Sequence, residues 1–96
     1  MLKLISFYKF VKILNPIDNK LIFKKFLIDN KLKGSIIFSL EGINGSIAGK
    51  QSNIELLSNF LKKKFLFDEF DNINECDVDF IPFKKAKIKI KKEVVP

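Results

Sequence analysis

The stretch KGSIIFSLEGINGSIAG (33–49) lies in the middle of the chain and contains all four of its glycines. Its first half predicts a β-strand from Ser35 to Leu40, because Ile36, Phe38 and Leu40 fall on one side of an extended backbone. Ser46–Ala48 predicts a second, short strand. The glycine-rich segment between the two strands predicts a loop that joins them.

This glycine-rich loop has two interpretations. Its backbone N–H groups could form a nest for an anion, or the loop could lie against another polypeptide. Alternatively, it is a hairpin connection in which two of the glycines supply positive φ angles. The spacing fits neither a P-loop nor the G-x-G-x-x-G dinucleotide motif. The candidate residues for anion binding or domain docking are Glu41, Gly42, Asn44 and Gly45.

The segments before this stretch predict a strand and a helix. Leu2–Val11 is rich in β-branched and aromatic residues, which favours a strand. Asn15-Pro16 resembles an N-cap followed by proline at the first helical position, so we expect a helix from Pro16 to Leu32. The helix should be largely covered, because its apolar positions form a broad surface: Ile17, Leu21, Ile28 and Leu32, widened by Phe23, Phe26 and Leu27.

The segments after it complete a recognisable order. Ser52-x-x-Glu55 is a capping box that predicts a second helix, with its apolar face at Ile54, Leu57, Leu61 and Phe65. Alternation over 75–80 and again over 85–91 predicts two more strands. Strand, helix, strand, strand, helix, strand is the ferredoxin-like order. We therefore predict one α+β domain, 1–96, a ferredoxin-like βαββαβ fold with an extra C-terminal strand and an antiparallel sheet that carries both helices on one face.

The composition excludes several classes of function. The chain has a net charge of +7 and contains no histidine, and all its basic residues are lysines. One cysteine and no histidine exclude an internal disulfide and a zinc cluster, so we predict neither metal nor cofactor and expect Cys76 to be a small buried side chain. No apolar run is long enough to span a membrane, and the N-terminus is too charged for a signal peptide. We therefore expect a cytoplasmic protein.

Lysines alternate along the last predicted strand, at Lys85, Lys87, Lys89 and Lys91. Alternate residues of a strand are about 7 Å apart on one side, so this row could bind successive phosphates of RNA. Alternatively, the lysines protect an edge strand from pairing with another chain. The sequence leaves both interpretations open.

The first strand has an aromatic pair, Phe7-Tyr8, beside Lys9. Such a group could stack on bases, as in RNA-recognition sheets. The predicted third strand has no aromatic residue that would complete a stacking surface. We therefore favour packing of the pair in the core.

Three blocks of the sequence resemble a known family. SFYKFV (6–11), KGSIIFSLEGINGSIAG (33–49) and PFKKAKIKIKKEVV (82–95) are similar to the N-terminal domain of the rhodanese-domain tRNA uridine hydroxylases. The resemblance implies an acylphosphatase-like fold, which agrees with the predicted order of elements. It also implies that this part of the family precedes a rhodanese domain, in which the catalytic cysteine lies. The family uses oxygen to make 5-hydroxyuridine at the wobble position of tRNA.

The resemblance thus implies a domain that has no catalytic residue of its own. The chain would be the N-terminal part of a longer protein, with tRNA and the rhodanese domain as partners. We expect it to help bind or present tRNA through the glycine-rich loop and the lysine row. The alternative is a structural module that docks the rhodanese domain and does not touch RNA. A free-standing acylphosphatase is disfavoured, because that chemistry uses an arginine to hold the phosphoryl group and the chain has none.

Overall fold

The computed structural model describes residues 1–91 as one five-stranded sheet and two α-helices. Glu93–Val95, the end of the third matching block, lies outside the described residues. The predicted α+β order and the extra C-terminal strand are confirmed. The elements follow one another as β1 (Leu2–Phe10), a 3₁₀ turn (Pro16–Asp18), α1 (Asn19–Asp29), β2 (Lys33–Ser39), β3 (Gly42–Lys50), α2 (Gln51–Phe65), β4 (Asn72–Val78) and β5 (Ala86–Ile90).

The strands lie in the order β4-β1-β3-β2-β5. The pairs β4–β1, β1–β3 and β3–β2 are antiparallel, and β5 pairs in parallel with β2. The sheet is therefore mixed, whereas the sequence analysis predicted an antiparallel one. The added strand β5 forms one edge, and β4 forms the other. Both helices pack on the same face, which leaves the opposite face without a helix.

One apolar core lies between the helices and the sheet. The ring of Phe23 in α1 is at its centre, with its centroid 4.9 Å from the rings of both Phe38 and Phe60. Full burial of one such side chain stabilises the fold by about 1.5–3 kcal/mol. The largest core side chains are less than 2% exposed: Ile5, Phe23, Leu27, Leu32, Ile36, Phe38, Ile43, Ile47, Leu57 and Leu61.

The prediction of a glycine-rich loop is wrong. Gly42, Asn44 and Gly45 belong to β3, a central strand of nine residues, and the connection from β2 consists of Leu40 and Glu41 alone. The glycines are needed for close packing in the sheet. A Cβ on Gly45 would lie 2.6 Å from Cζ of Phe7, and a Cβ on Gly49 would lie 2.5 Å from a methyl group of Leu32.

The side of helix α1 that packs against the sheet is not the side predicted from the sequence. Ile17, Leu21 and Ile28 are 68%, 82% and 58% exposed, whereas Phe23 and Leu27 are fully buried. The reason is the phase of the helix, which starts at Asn19 and turns its aromatic side toward the ring of Phe38. Three of the four residues of the predicted apolar row thus form an exposed stripe, whereas the fourth, Leu32, lies beyond the end of α1 and is buried in the core.

Two smaller predictions are also corrected. Helix α2 starts at Gln51 with Lys50 as its N-cap, and no side chain caps it, so the predicted Ser52 capping box is not formed. Cys76 is exposed rather than buried, because it lies on the edge strand β4 and points to the helix-free side, opposite Leu4.

Candidate nucleic-acid interface

The helix-free face of the sheet is defined by the alternate residues of each strand that do not point to the core. Ser6 and Tyr8 of β1 lie on it, and the hydroxyl groups of Ser6 and Ser46 are 3.0 Å apart. The strand register aligns the residues of this face in two rows across the sheet, which are polar apart from Ile37. They are Asn72–Tyr8–Asn44–Ile37–Lys89 and Asn74–Ser6–Ser46–Ser35–Lys87.

The helix-free face carries no aspartate or glutamate on any of the described strands. The acidic residues of β4, Glu75 and Asp77, alternate to the helix side of the sheet. There Asp77 forms an ion pair with Lys3 at 3.1 Å. The two rows are therefore uncharged from β4 to β2 and positive at the β5 edge, which suits a polyanion.

A lysine pocket lies at the β5 edge of this face, with a volume of about 340 Å³. Ser35 and Gly34 of β2 form part of its lining. The ion pairs among residues 1–91 involve Lys3, Lys9 and Lys25, so within that range no carboxylate neutralises the pocket. The pocket contains four lysines and one aromatic ring: Lys84, Lys85, Lys87, Lys89 and Phe83.

A shallow depression of about 200 Å³ lies near the other edge of the same face. Asparagines from β3 and β4 border it on both sides of β1, and Gly45 forms part of its floor. Its lining is uncharged and rich in hydroxyl and carboxamide groups, which can exchange hydrogen bonds with sugars and base edges. The polar side chains are Ser6, Tyr8, Asn44, Ser46, Asn72 and Asn74.

Two aromatic residues of β1 lie at this depression or beside it. Tyr8 and Phe10 are on the helix-free side, with ring centroids 5.5 Å apart and planes at 74°. Phe10 is 49% exposed, whereas Phe7 is buried in the core. The pair predicted from the sequence, Phe7 and Tyr8, is thus divided between the two faces, and Phe10 is the aromatic neighbour of Tyr8. Period-two alternation along β1 was the signal that pairs residue 8 with residue 10.

The predicted site residues separate into two groups. Lys87 and Lys89 lie on the helix-free face at the lysine pocket, Lys85 lines the same pocket, and Lys91 is exposed just beyond β5. Of the predicted loop residues, Glu41 is exposed in the β2–β3 turn, and its carbonyl accepts a hydrogen bond from the N–H of Val11 at 2.9 Å. The three others lie in β3, and they are Gly42, Asn44 and Gly45.

The described residues contain no group of three or more histidine, cysteine, aspartate or glutamate side chains placed to hold a metal ion. No helix within residues 1–91 has the length and apolar character needed to cross a membrane.

A family model described as the UPF0176 acylphosphatase-like domain matches residues 2–94 of the sequence. The chain belongs to this family. The acylphosphatase-like fold named in that description agrees with the βαββαβ sheet and with the two helices on one face. The UPF0176 domain accounts for almost the whole chain.

Curated relatives of this UPF0176 domain are much longer than the chain. A tRNA uridine(34) hydroxylase from Pelagibacter ubique is 40% identical over 96 residues, which are 100% of this chain and 32% of the relative. A tRNA uridine(34) hydroxylase from Prochlorococcus marinus is 38% identical over 100 residues, which cover 97% of this chain and 30% of the relative. The chain thus spans about a third of the length of these relatives.

Solved structures share the fold of this UPF0176 domain. An acylphosphatase from Bacillus subtilis aligns with a TM-score of 0.57 at 12% identity, over 95% of this chain and 99% of the other. A BlrP1 BLUF structure aligns with a TM-score of 0.71 at 10% identity, over 96% of this chain and 65% of the other. At such low identities the likeness concerns the fold alone.

Proposed function

We propose that the chain is the non-catalytic N-terminal domain of a tRNA uridine 5-hydroxylase, and that its helix-free face binds the tRNA substrate in the cytoplasm. The observation that carries this proposal is the lysine pocket at the edge of a face whose described strands carry no carboxylate. The names of the relatives support tRNA as the polyanion. The oxygen-dependent chemistry would take place in the rest of the longer protein, so this domain needs no cofactor.

The physical role of the lysines follows from their spacing. Lys87 and Lys89 point to the same side of β5, and their ammonium groups can neutralise neighbouring phosphates. Neutralised phosphates release counterions, so such binding weakens as salt rises. Phosphate contacts fix the position of the RNA on the domain without reading its sequence. The domain would thereby hold the tRNA while another domain acts on the wobble uridine.

A pair of charge-matched variants tests the proposal. Lys87→Gln/Lys89→Gln removes two charges at the pocket, and Lys63→Gln/Lys64→Gln removes two from exposed positions at the end of α2. Binding of unmodified tRNA to the 96-residue chain is measured at several salt concentrations. We expect the pocket variant to bind more weakly and to lose about 1–2 units of salt slope. Equal losses in both variants would show that only net charge matters, and would overturn the proposal.

A second candidate function is docking of the rhodanese domain that the resemblance implies. The exposed stripe favours it, which consists of Ile17 in the 3₁₀ turn and Leu21 and Ile28 in α1. A groove of about 610 Å³ adjoins the stripe, with an apolar floor and a lysine rim. Its apolar lining residues are Ile28, Leu32, Ile81 and Ala86, and its lysines are Lys24, Lys31, Lys33, Lys84 and Lys85. In the longer protein, Leu21→Gln/Ile28→Gln would loosen the contact between domains and leave tRNA binding by the isolated chain unchanged.

A further inference from the structure

The geometry points to a subsite for one unpaired nucleobase on the helix-free face, formed by Tyr8 and Phe10 with Asn44 and Asn72. This inference rests on the proposed function, because it takes RNA as the ligand of that face. It adds a contact to the base, whereas the lysine pocket contacts only phosphates. The two features lie at different places on the sheet, so they can be tested separately.

The aromatic pair forms a corner and not a stack. The planes of Tyr8 and Phe10 meet at 74°, so a flat base that lies on one ring brings its edge toward the other. Phe10 is opposite Gly42 in the register, and a glycine has no side chain that could cover the ring. Half of Phe10 therefore stays exposed. Stacking on exposed aromatic rings is the usual way in which proteins bind unpaired bases.

Carboxamide groups lie on both sides of Tyr8 in the same row. Asn72 of β4 and Asn44 of β3 are its direct neighbours across the sheet. A carboxamide has both a donor and an acceptor, as the Watson–Crick edge of a base does. Asn72 is exposed at the edge strand, so its amide can reach a base that lies on the aromatic corner.

The subsite and the lysine pocket are connected by a polar path. Three strand spacings separate β1 from β5, or about 14 Å. The hydroxyl groups of Ser46 and Ser35 lie along this path in the row that ends at Lys87. Hydroxyl groups can bond to ribose, and no carboxylate lies in this row on the described strands. At the subsite end, the carboxylate of Asp71 accepts hydrogen bonds from the N–H of Phe10 at 2.6 Å and from the ammonium group of Lys9 at 3.5 Å. A single strand of RNA that crosses the sheet would have its phosphates at β5 and one base at Tyr8.

Tyr8 provides a direct signal for the test. The chain has one tyrosine and no tryptophan, so its tyrosine fluorescence comes from this subsite alone. The 96-residue chain is titrated with hexauridylate and with a hexanucleotide that has the same phosphates and abasic ribose. We expect hexauridylate to quench Tyr8 and to bind about 10-fold more tightly than the abasic strand.

Conservative variants at Phe10 separate stacking from a structural role. Phe10→Leu should bind hexauridylate about as weakly as the abasic strand, and Phe10→Tyr should restore the difference. Both variants should remain folded, because the side chain is 49% exposed. Equal affinity of the unaltered chain for both strands without quenching of Tyr8 would overturn the base subsite, and the lysine-pocket function would stand. Absence of binding to either strand and to tRNA would overturn both.

Discussion

The ring of Phe7 fills the space that a side chain on residue 45 would need: its Cζ atom lies 2.6 Å from the position of a Cβ there. The two residues face each other across β1 and β3, on the side of the core. The glycine is therefore required by a core side chain in the neighbouring strand. Its sequence neighbour Asn44 points to the opposite, helix-free face.

The first prediction concerns this contact. Gly45→Ala should lower the free energy of unfolding by about 1–3 kcal/mol, because the added methyl group overpacks the core. Urea unfolding of the 96-residue chain measures the change. In a Phe7→Leu background the same substitution should cost less, because a leucine leaves more room. Equal costs in both backgrounds would mean that Phe7 is not what excludes a side chain at residue 45.

This contact also explains why part of the fold was predicted from the sequence and part was not. The alternation at 35–40 and 85–91 and the spacing of Ile54, Leu57 and Leu61 are local signals, and they placed β2, β5 and α2 correctly. Gly45 and Gly49 of β3 are required by Phe7 and Leu32, which are distant in the sequence. A glycine required by a distant ring cannot be told from a loop glycine within its own segment.

The second prediction tests which face of α1 is covered. Leu21→Gln should change the free energy of unfolding by less than about 0.5 kcal/mol, because the side chain is 82% exposed. Leu27→Ala should cost about 2–5 kcal/mol, because it leaves a cavity in the core. Urea unfolding of both variants gives the comparison. A larger loss for Leu21→Gln than for Leu27→Ala would mean that the helix packs in the other phase.

The candidate site, like the fold, was predicted only in part from the sequence. Lysines at alternate positions of a strand are visible in the sequence, so Lys87 and Lys89 were found. The partners of Tyr8 were missed, because Asn44 and Asn72 come from two other strands and meet it only through the sheet register. The alignment of strands β4, β1 and β3 depends on tertiary pairing, which a single sequence does not report.

The third prediction concerns pH. Asp77 raises the pKa of Lys3 above its ordinary value, first through a hydrogen bond to the ammonium group and then through its charge. A raised lysine pKa stabilises the fold below the unfolded pKa of about 10.4, and that contribution is lost as pH rises through the folded value. Stability should therefore show a small decrease at alkaline pH that is absent in Asp77→Asn. The urea midpoint between pH 8 and 11 measures it, and identical curves for both chains would contradict the contact.

The fourth prediction uses Cys76. Its exposure on β4 allows a disulfide reagent such as Ellman's to reach the thiol in the folded protein. We expect one thiol per chain to react fully in buffer, with the same yield as in urea. A buried thiol, as predicted from the sequence, would react fully only after unfolding. Cys76 is the next residue after Asn74 on the helix-free side of β4. Bound tRNA should therefore slow the reaction. The same measurement is made with Lys87→Gln/Lys89→Gln. If tRNA still slows the reaction of Cys76 in this variant, the RNA lies on this face independently of the lysine pocket.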